Sequence, residues 1–160
     1  MITPSAVLVA VLSAAPPLPS PAGWPLEPPF SVVRGFDPPA RDWLAGHRGV
    51  DLLAGAPGGA PGGAVLAGAE GIVTFAGPVF TRGVVTISHG AYRTTYEPVL
   101  PLVRPGARVV AGQRIGTLAA GPSHCAPATC LHWGLRHGAA YLDPLGLPAP
   151  PPIILLPLGP

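Results

Sequence analysis

The sequence is poor in charged residues and contains no lysine. Only 10% of its 160 residues are charged, and its 9 basic side chains are all arginine. A net charge of +2 without a basic run does not support a nucleic-acid partner, because phosphate backbones are bound by clustered basic side chains. The sequence also lacks a glycine-rich loop leading into a helix, the common phosphate-binding pattern. No stretch shows sustained helical periodicity, so a helical fold is not predicted.

Short apolar runs separated by turn residues fill most of the chain. The sequence has 25 prolines and 22 glycines, yet 48% of it is hydrophobic, which indicates many turns joining short strands. The strand candidates are GIVTFAG (71–77), GVVTISHG (83–90), YRTTYEP (92–98), two short strands within VRPGARVVAGQRIGTL (103–118), and CLHWGLRHG (130–138). We therefore expect an all-β fold.

The two ends of the chain differ in composition from its centre. Residues 6–15 form an apolar block of signal-peptide length, too short to span a membrane, and small residues at 20–22 follow at the usual cleavage spacing. The alternative is an apolar N-terminal element packed on the core. We expect an export segment (1–23), a region that leads into the domain (24–46), the domain itself (47–147) and a proline-rich tail (148–160). An exported protein of this kind would be extracellular, without stable membrane insertion.

His47 and Asp51 are candidate metal ligands, four residues apart with Gly49 between them. On a helix such residues are about 6 Å apart and could share an ion, whereas on a straight strand they are about 13 Å apart and could not. This segment is predicted to be a loop entering a strand, so shared ligation requires a bend, which Gly49 can supply. An ordinary surface pair is the alternative, and the spacing alone leaves both open.

Strand alternation makes His132 a third candidate. Within CLHWGLR, the two leucines and the tryptophan share one apolar face, while His132 and Gly134 lie on the other. A histidine beside a glycine on the face away from the core suits the wall of a cleft, although exposed histidines on antiparallel sheets are common. A zinc site needs three or four such side chains to converge.

Six segments, in order and spacing, resemble the lysostaphin-type (LytM-like) zinc endopeptidases: HRGVDL, GIVTFAG, GVVTISHG, YRTTYEPV, VRPGARVVAGQRIG and LHWGLR. The resemblance covers roughly 100 residues and does not rest on one motif. It implies a compact antiparallel β-sandwich or barrel-like fold, a duplicated hybrid motif with a groove. It also implies one zinc ion, peptide bonds of bacterial peptidoglycan as the substrate, and a location outside the cell or in association with the cell wall. The family's ligand positions match His47, Asp51 and His132, three ligands that leave a fourth position open, as in catalytic zinc sites.

Two accessory histidines of that family are replaced in this sequence. One position is Cys130, and the other is Pro98. Losing positioned acid–base help typically costs about 10²–10⁴ in rate. The candidate catalytic substitutes are Glu97, next to Pro98, and His124, in the loop before Cys130. Strand alternation predicts that Glu97 and Pro98 point to opposite faces, unless the proline ends the strand.

Cys125 and Cys130 are the two cysteines of the chain. In an exported protein a close pair indicates one local disulfide, whereas in the cytosol it would indicate free thiols or half of a metal site. A Cys130 thiolate would be a fourth zinc ligand and would close the site. We predict the disulfide, which keeps the fourth position open.

Two functions follow from these residues. The first is an exported zinc endopeptidase acting on wall peptides, and the open three-ligand set favours it. The second is a catalytically silent relative with structural zinc, which binds wall peptide or activates a partner hydrolase; the missing histidines favour it. Arg93 and Arg136 are candidate substrate-binding residues, since a guanidinium can bind a peptide carboxylate or carbonyl, although solvated arginines are the alternative. A biotinyl-type hairpin, suggested by VRPGARVVAGQRIG, fails because no lysine can carry the group.

Overall fold

The structure is a computed structural model of the chain. It describes residues 16–41, 43–55, 61–121 and 123–147. The apolar block at 6–15 and the proline-rich tail at 148–160 lie outside the described residues.

The described residues form eleven β-strands and one short 3-10 helix. The strands are β1 (Phe30–Arg34), β2 (Val50–Ala54), β3 (Ala64–Leu66), β4 (Gly71–Val79), β5 (Arg82–His89), β6 (Tyr92–Glu97), β7 (Val99–Pro101), β8 (Arg108–Val109), β9 (Arg114–Leu118), β10 (Cys130–His137) and β11 (Ala140–Leu142), and the 3-10 helix is Pro144–Gly146. The expectation of an all-β fold is confirmed.

The strands form two antiparallel sheets. The larger has eight strands in the order β1-β2-β10-β6-β5-β4-β8, with β11 paired to the C-terminal half of β10. The smaller has the order β3-β9-β7. The antiparallel layered fold is confirmed, but β1 and β8 are edges of the larger sheet, so the described strands do not close into a barrel.

The hydrophobic core joins residues of both sheets. Leu52, Ile87 and Trp133 of the larger sheet and Val65 and Ile115 of the smaller one belong to one cluster and are each 0% exposed. Burying side chains of this size contributes about 1.5–3 kcal/mol each. The inner face of the larger sheet is thereby fixed, and its outer face is left to carry other chemistry.

Strand alternation decides which side chains reach that outer face. In β10 the predicted inward residues Leu131, Trp133 and Leu135 are all buried. In β6 the buried residues Tyr92, Thr94 and Tyr96 alternate with the more exposed positions 93, 95 and 97. The positions between the buried ones therefore point away from the core.

The N-terminal part of the described chain packs against the same body. Leu26 is 3% exposed and forms a β-bridge with Val65, and β1 pairs with β2 at the sheet edge. Further upstream, Ala22 forms a bridge with Ala69, and the Tyr92 hydroxyl donates a hydrogen bond to the Pro16 carbonyl. The described residues contain no helix of the length and apolarity that crossing a bilayer requires.

Candidate metal centre and groove

Three neighbouring strands place one polar residue each in a row across the larger sheet. Asp51 of β2 lies directly opposite His132 of β10, and His132 lies directly opposite Glu97 of β6. Directly opposite residues share a face of the sheet. Because Trp133, the next residue of β10, points into the core, this row lies on the outer face.

The side chains of His47, Asp51 and His132 converge. His132 Nδ1 is 2.8 Å from Asp51 Oδ1 and 3.1 Å from His47 Nε2, and His47 Nε2 is 3.2 Å from the same Oδ1. The side chains of Asp51 and His47 are 0% and 2% exposed, whereas that of His132 is 17% exposed. The cluster therefore opens to solvent on the His132 side.

The approach to β2 brings His47 to Asp51. His47 and Asp37 form a β-bridge through two backbone hydrogen bonds, which fixes the chain just before the strand. The Nδ1–H of His47 donates to the carbonyl of Gly35, 2.6 Å away, and a carbonyl only accepts. Neutral His47 therefore presents the lone pair of Nε2 to the cluster, as in sites where a carbonyl fixes the tautomer of a ligand histidine.

Gly49 is required here for close approach. The chain bends at residues 48 and 49, as expected, although the φ of Gly49 lies outside the left-handed region. A Cβ at this position would lie 2.4 Å from the carbonyl oxygen of Trp133 and 2.8 Å from Nε2 of His132. Any larger residue would push the chain away from β10 and its histidine.

His124 joins the cluster from the loop before β10. Its Nδ1 is 2.9 Å from Asp51 Oδ2, and its ring centroid is 5.3 Å and 5.4 Å from those of His47 and His132. Cys125 and Cys130 form the predicted disulfide, which ties this loop to the first residue of β10. Because Cys130 is part of this disulfide, it cannot be a thiolate ligand in this structure. The residue beside the Asp51 carboxylate is instead His124.

Asp51 carries the electrostatics of the cluster. Burial alone raises its pKa, but hydrogen bonds from His132 and His124 and the proximity of both His132 and His47 outweigh that effect, and its pKa is lowered. The carboxylate is therefore ionised at neutral pH, with imidazoles at both of its oxygens.

The donor set fits a zinc ion. Zinc prefers histidine nitrogen and carboxylate oxygen at about 2.0–2.2 Å in a tetrahedral arrangement, which requires donor atoms roughly 3.3–3.6 Å apart. The three donors of His47, Asp51 and His132 are 2.8–3.2 Å apart and need to separate by only a few tenths of an ångström. With His124 included, one candidate ligand atom from each of four residues lies within 4.8 Å of the others.

Glu97 faces the same side as the cluster. The β6 strand ends at Glu97, and Pro98 follows across a cis peptide bond and is buried. The Glu97 carboxylate is 21% exposed and forms an ion pair of 3.4 Å with Arg82. The structure thus places this candidate at the rim of the site, directly opposite His132.

A groove of about 530 Å³ runs over the outer face from His132 to the other end of β10. Thr95 and Thr86 line its middle, and Arg93 and Arg136, which lie opposite each other on β6 and β10, line its far end. A Cβ on Gly134 would lie 2.6 Å from Oγ1 of Thr95, so glycine keeps this part of the groove open. The two candidate arginines are therefore in the groove but away from the metal cluster.

The Gly35 carbonyl is the feature of the site that sequence reasoning missed. It lies within the segment 24–46, which was expected only to lead into the domain. A backbone carbonyl has no side-chain signal, so its role depends on the bridge between Asp37 and His47 and is visible only in the fold.

Comparison with known proteins extends these observations. The sequence model of peptidase family M23 matches residues 45–144. The uncharacterized protein Rv2891 of Mycobacterium tuberculosis is 49% identical over 142 residues, which cover 86% of this chain and 55% of that protein. The chain thus spans about half the length of the curated relatives it matches.

Solved structures share the fold. The SpoIIQ–SpoIIIAH pore-forming complex contains a chain with a TM-score of 0.66 and 21% identity, covering 79% of this chain and 90% of that one. Lysostaphin, in its NMR solution structure, matches with a TM-score of 0.60 and 22% identity, covering 77% of this chain and 56% of its own. At these identities the likeness shows a common fold.

Proposed function

Because this chain belongs to peptidase family M23, we propose that it is an exported zinc endopeptidase that cleaves peptide bonds of bacterial peptidoglycan. The convergence of His47 Nε2, Asp51 Oδ1 and His132 Nδ1, each within 2.8–3.2 Å of the other two, carries this proposal. Three buried or half-buried donors around one point are what a catalytic zinc site needs.

His47, Asp51 and His132 would hold the ion. When bound, zinc supplies a Lewis acid and a water of lowered pKa, near 7 in such sites. The Gly35 carbonyl keeps His47 in the tautomer that leaves Nε2 free to ligate. Ionised Asp51 supplies the negative charge that compensates a cation in a buried place.

Two side chains replace the accessory histidines. Glu97, directly opposite His132, would take a proton from the attacking water at a carboxylate oxygen. His124, held by Asp51 at Nδ1 and 39% exposed on its side chain, would donate a proton to the leaving amine. The groove over Thr95 and Thr86 would hold the peptide extended across the cluster.

Export is part of the proposal. A disulfide between Cys125 and Cys130 supports an oxidising compartment, where such bonds persist. Residues 1–23 would direct the chain there and residues 47–147 would act outside the cell or at the wall. N-terminal sequencing of protein recovered from the culture medium tests this part: a start near residue 23 supports removal of the segment, and an intact Met1 contradicts it.

The enzymatic test combines metal analysis with a release assay. The purified chain should contain about one zinc per molecule and release new peptide amino groups from purified cell wall, and a chelator should stop the release. His132→Gln should lose both the zinc and the release. His137→Gln is the matched control on the same strand, since His137 packs on Tyr92 away from the cluster, and it should retain both. Absence of bound zinc would overturn the metal site.

A second function is supported by the fourth donor. If His124 ligates together with His47, Asp51 and His132, the set becomes a closed four-ligand site of the structural kind. The protein would then bind wall peptide or activate a partner hydrolase without cleaving. Zinc-containing protein that binds the wall and releases no peptide ends would support this function over the first.

A further inference from the structure

The far end of the groove carries two arginines that face each other, and a third groove residue, Arg48, lies over the ring of Tyr141, 5.6 Å from its centroid. Arg93 of β6 and Arg136 of β10 are direct cross-strand partners, and both line the groove. Arg93 is four residues from Glu97 on β6, and Arg136 is four residues from His132 on β10. Residues an even number of positions apart on a strand share a face, so both arginines point to the outer face.

Like charges directly opposite on adjacent strands destabilise a sheet. Among the described residues that line the groove, Glu97 is the only acidic one, and its carboxylate already pairs with Arg82. No ion pair within the described residues involves Arg93 or Arg136. The positive charge at this end is therefore not neutralised by the described part of the chain.

The side chain of Arg136 is held in place by a contact with an aromatic ring. Its guanidinium lies over the ring of Tyr141, 4.8 Å from the ring centroid, a cation–π contact that restricts its position. Its Nε is buried and has no hydrogen-bond partner among the described residues. A guanidinium positioned in this way in the groove is suited to bind, through its terminal N–H groups, an anion that brings its own acceptors.

From this arrangement we propose that Arg93 and Arg136 bind a free carboxylate of the peptide whose cleavage is proposed above. A guanidinium binds a carboxylate through two parallel hydrogen bonds, and a neutral amide carbonyl would leave the two charges uncompensated. The inference rests on the proposed function and narrows its substrate class to peptides that carry a carboxylate at a set distance from the cleaved bond.

The strand geometry gives that distance. Arg136 is four residues from His132 along β10, about 13 Å at 3.3 Å per residue. An extended peptide covers the same length in about four residues, so the bound carboxylate lies three to four residues from the bond held at the cluster. The carboxylate can belong to the end of the peptide or to an acidic side chain.

Binding measured by NMR on the full chain tests the inference without requiring turnover. The probes are alanine peptides of two to five residues with a C-terminal carboxylate, the same peptides as C-terminal amides, and amides ending in a glutamate. We expect the free-acid form to bind at least about ten-fold more tightly than the amide, most strongly at four residues, and to shift the Nε–H signal of Arg136. If the glutamate amide binds like the free acid, a side-chain carboxylate is an equally good ligand; if it binds like the plain amide, a terminal carboxylate is required.

Variants separate this inference from the hydrolase proposal. Arg93→Gln and Arg136→Gln should each lower the affinity for the free acid about ten-fold and leave the amide and the zinc content unchanged. Arg108→Gln, an exposed arginine outside the groove, is the charge-matched control and should change neither. Equal affinity for acid and amide, or no binding of either, overturns the carboxylate site while the zinc and release assays still stand. If the unchanged protein binds the free-acid peptide but contains no zinc or releases no peptide from cell wall, the hydrolase proposal is overturned and the carboxylate site still stands.

Discussion

The two faces of the larger sheet use the same kinds of residue in different ways. On the outer face, His132 lies between Asp51 and Glu97, and two more histidines reach the same carboxylate. On the inner face, His89 of β5 has neutral hydrogen-bond partners among the described residues: its Nδ1–H donates to the Glu70 carbonyl, and its Nε2 is 2.8 Å from Oγ1 of Thr94.

The difference lies in the carboxylate. Burial lowers the pKa of His89, and the Glu70 carbonyl opposes this only in part, so His89 is kept neutral and structural. The inner polar groups continue in a chain: the Thr94 hydroxyl is hydrogen-bonded to the Tyr96 hydroxyl, and the backbone N–H of Gly68 donates to the same Tyr96 hydroxyl, 2.9 Å in each case. On the outer face, by contrast, several imidazoles share one anion and retain the capacity to bind a cation.

The largest effect should come from removing that anion. Asp51→Asn keeps the shape of the side chain but removes the charge that three imidazoles share, so zinc affinity should fall by more than the about 10–100-fold typical of residues outside the ligand set. Release of wall peptides should be lost with it. Competition with a zinc-binding dye measures the affinity, and Glu27→Gln, an exposed acid elsewhere, should leave it unchanged. Retained affinity in Asp51→Asn would show that the outer face does not depend on its carboxylate.

His124 should have the next largest effect, and of a different kind. We expect His124→Gln to lower the rate of wall-peptide release by about 10²–10⁴-fold while about one zinc per chain is retained, because the residue supplies a proton and not a ligand. Zinc content and rate are measured on the same sample. A loss of zinc together with the rate would show instead that His124 closes the site.

Tyr96→Phe tests the inner face alone. The change leaves the Gly68 N–H and the Thr94 hydroxyl without their buried partner, which should lower the free energy of unfolding by about 1–3 kcal/mol. Zinc affinity should stay as in the unchanged protein, because the Tyr96 side chain points away from the cluster. Denaturant unfolding measures the free energy of unfolding, and competition with the zinc-binding dye measures the zinc affinity. A fall in zinc affinity would mean that the two faces are coupled through the strand.

The sequence predicted the parts of this comparison that depend on local patterns. Alternation assigned Trp133 to the core and His132 to the open face, because a strand turns every second side chain the same way. The close spacing of Cys125 and Cys130 predicted the disulfide that the structure contains. Both depend on a few consecutive residues, and so both could be recognised without the fold.

The pairing register between strands could not be predicted in the same way. Glu97 was expected to point away from Pro98 unless the proline ended the strand, and the strand does end at Glu97. Nothing in the sequence placed Glu97 opposite His132, nor Arg93 opposite Arg136. The meeting of His47 and Asp51 was left open because it depends on a β-bridge to a residue ten positions earlier, Asp37. Gly49 was assigned to a bend, and the chain does bend at residues 48 and 49. Its second role, to let two backbones approach, is a relation between distant segments and has no local signal.

The smallest effect should be a change in pH dependence from the inner face. The pKa of His89 in the folded protein is below its ordinary value of 6.5. As the pH falls through this range, His89 therefore binds a proton more readily in the unfolded chain than in the folded protein. The contribution of His89 is therefore complete above about pH 6.5 and is lost progressively as the pH falls towards the folded-state pKa. His89→Gln should be less stable than the unchanged protein at pH 7, since it loses the fit to Glu70 and Thr94, but its stability should decline less between pH 7 and pH 5. Urea unfolding across this range, with a chelator present so that the metal site does not contribute, measures the two slopes. Equal slopes would mean that His89 gains a proton as easily in the folded as in the unfolded protein, which would contradict the lowered pKa of His89.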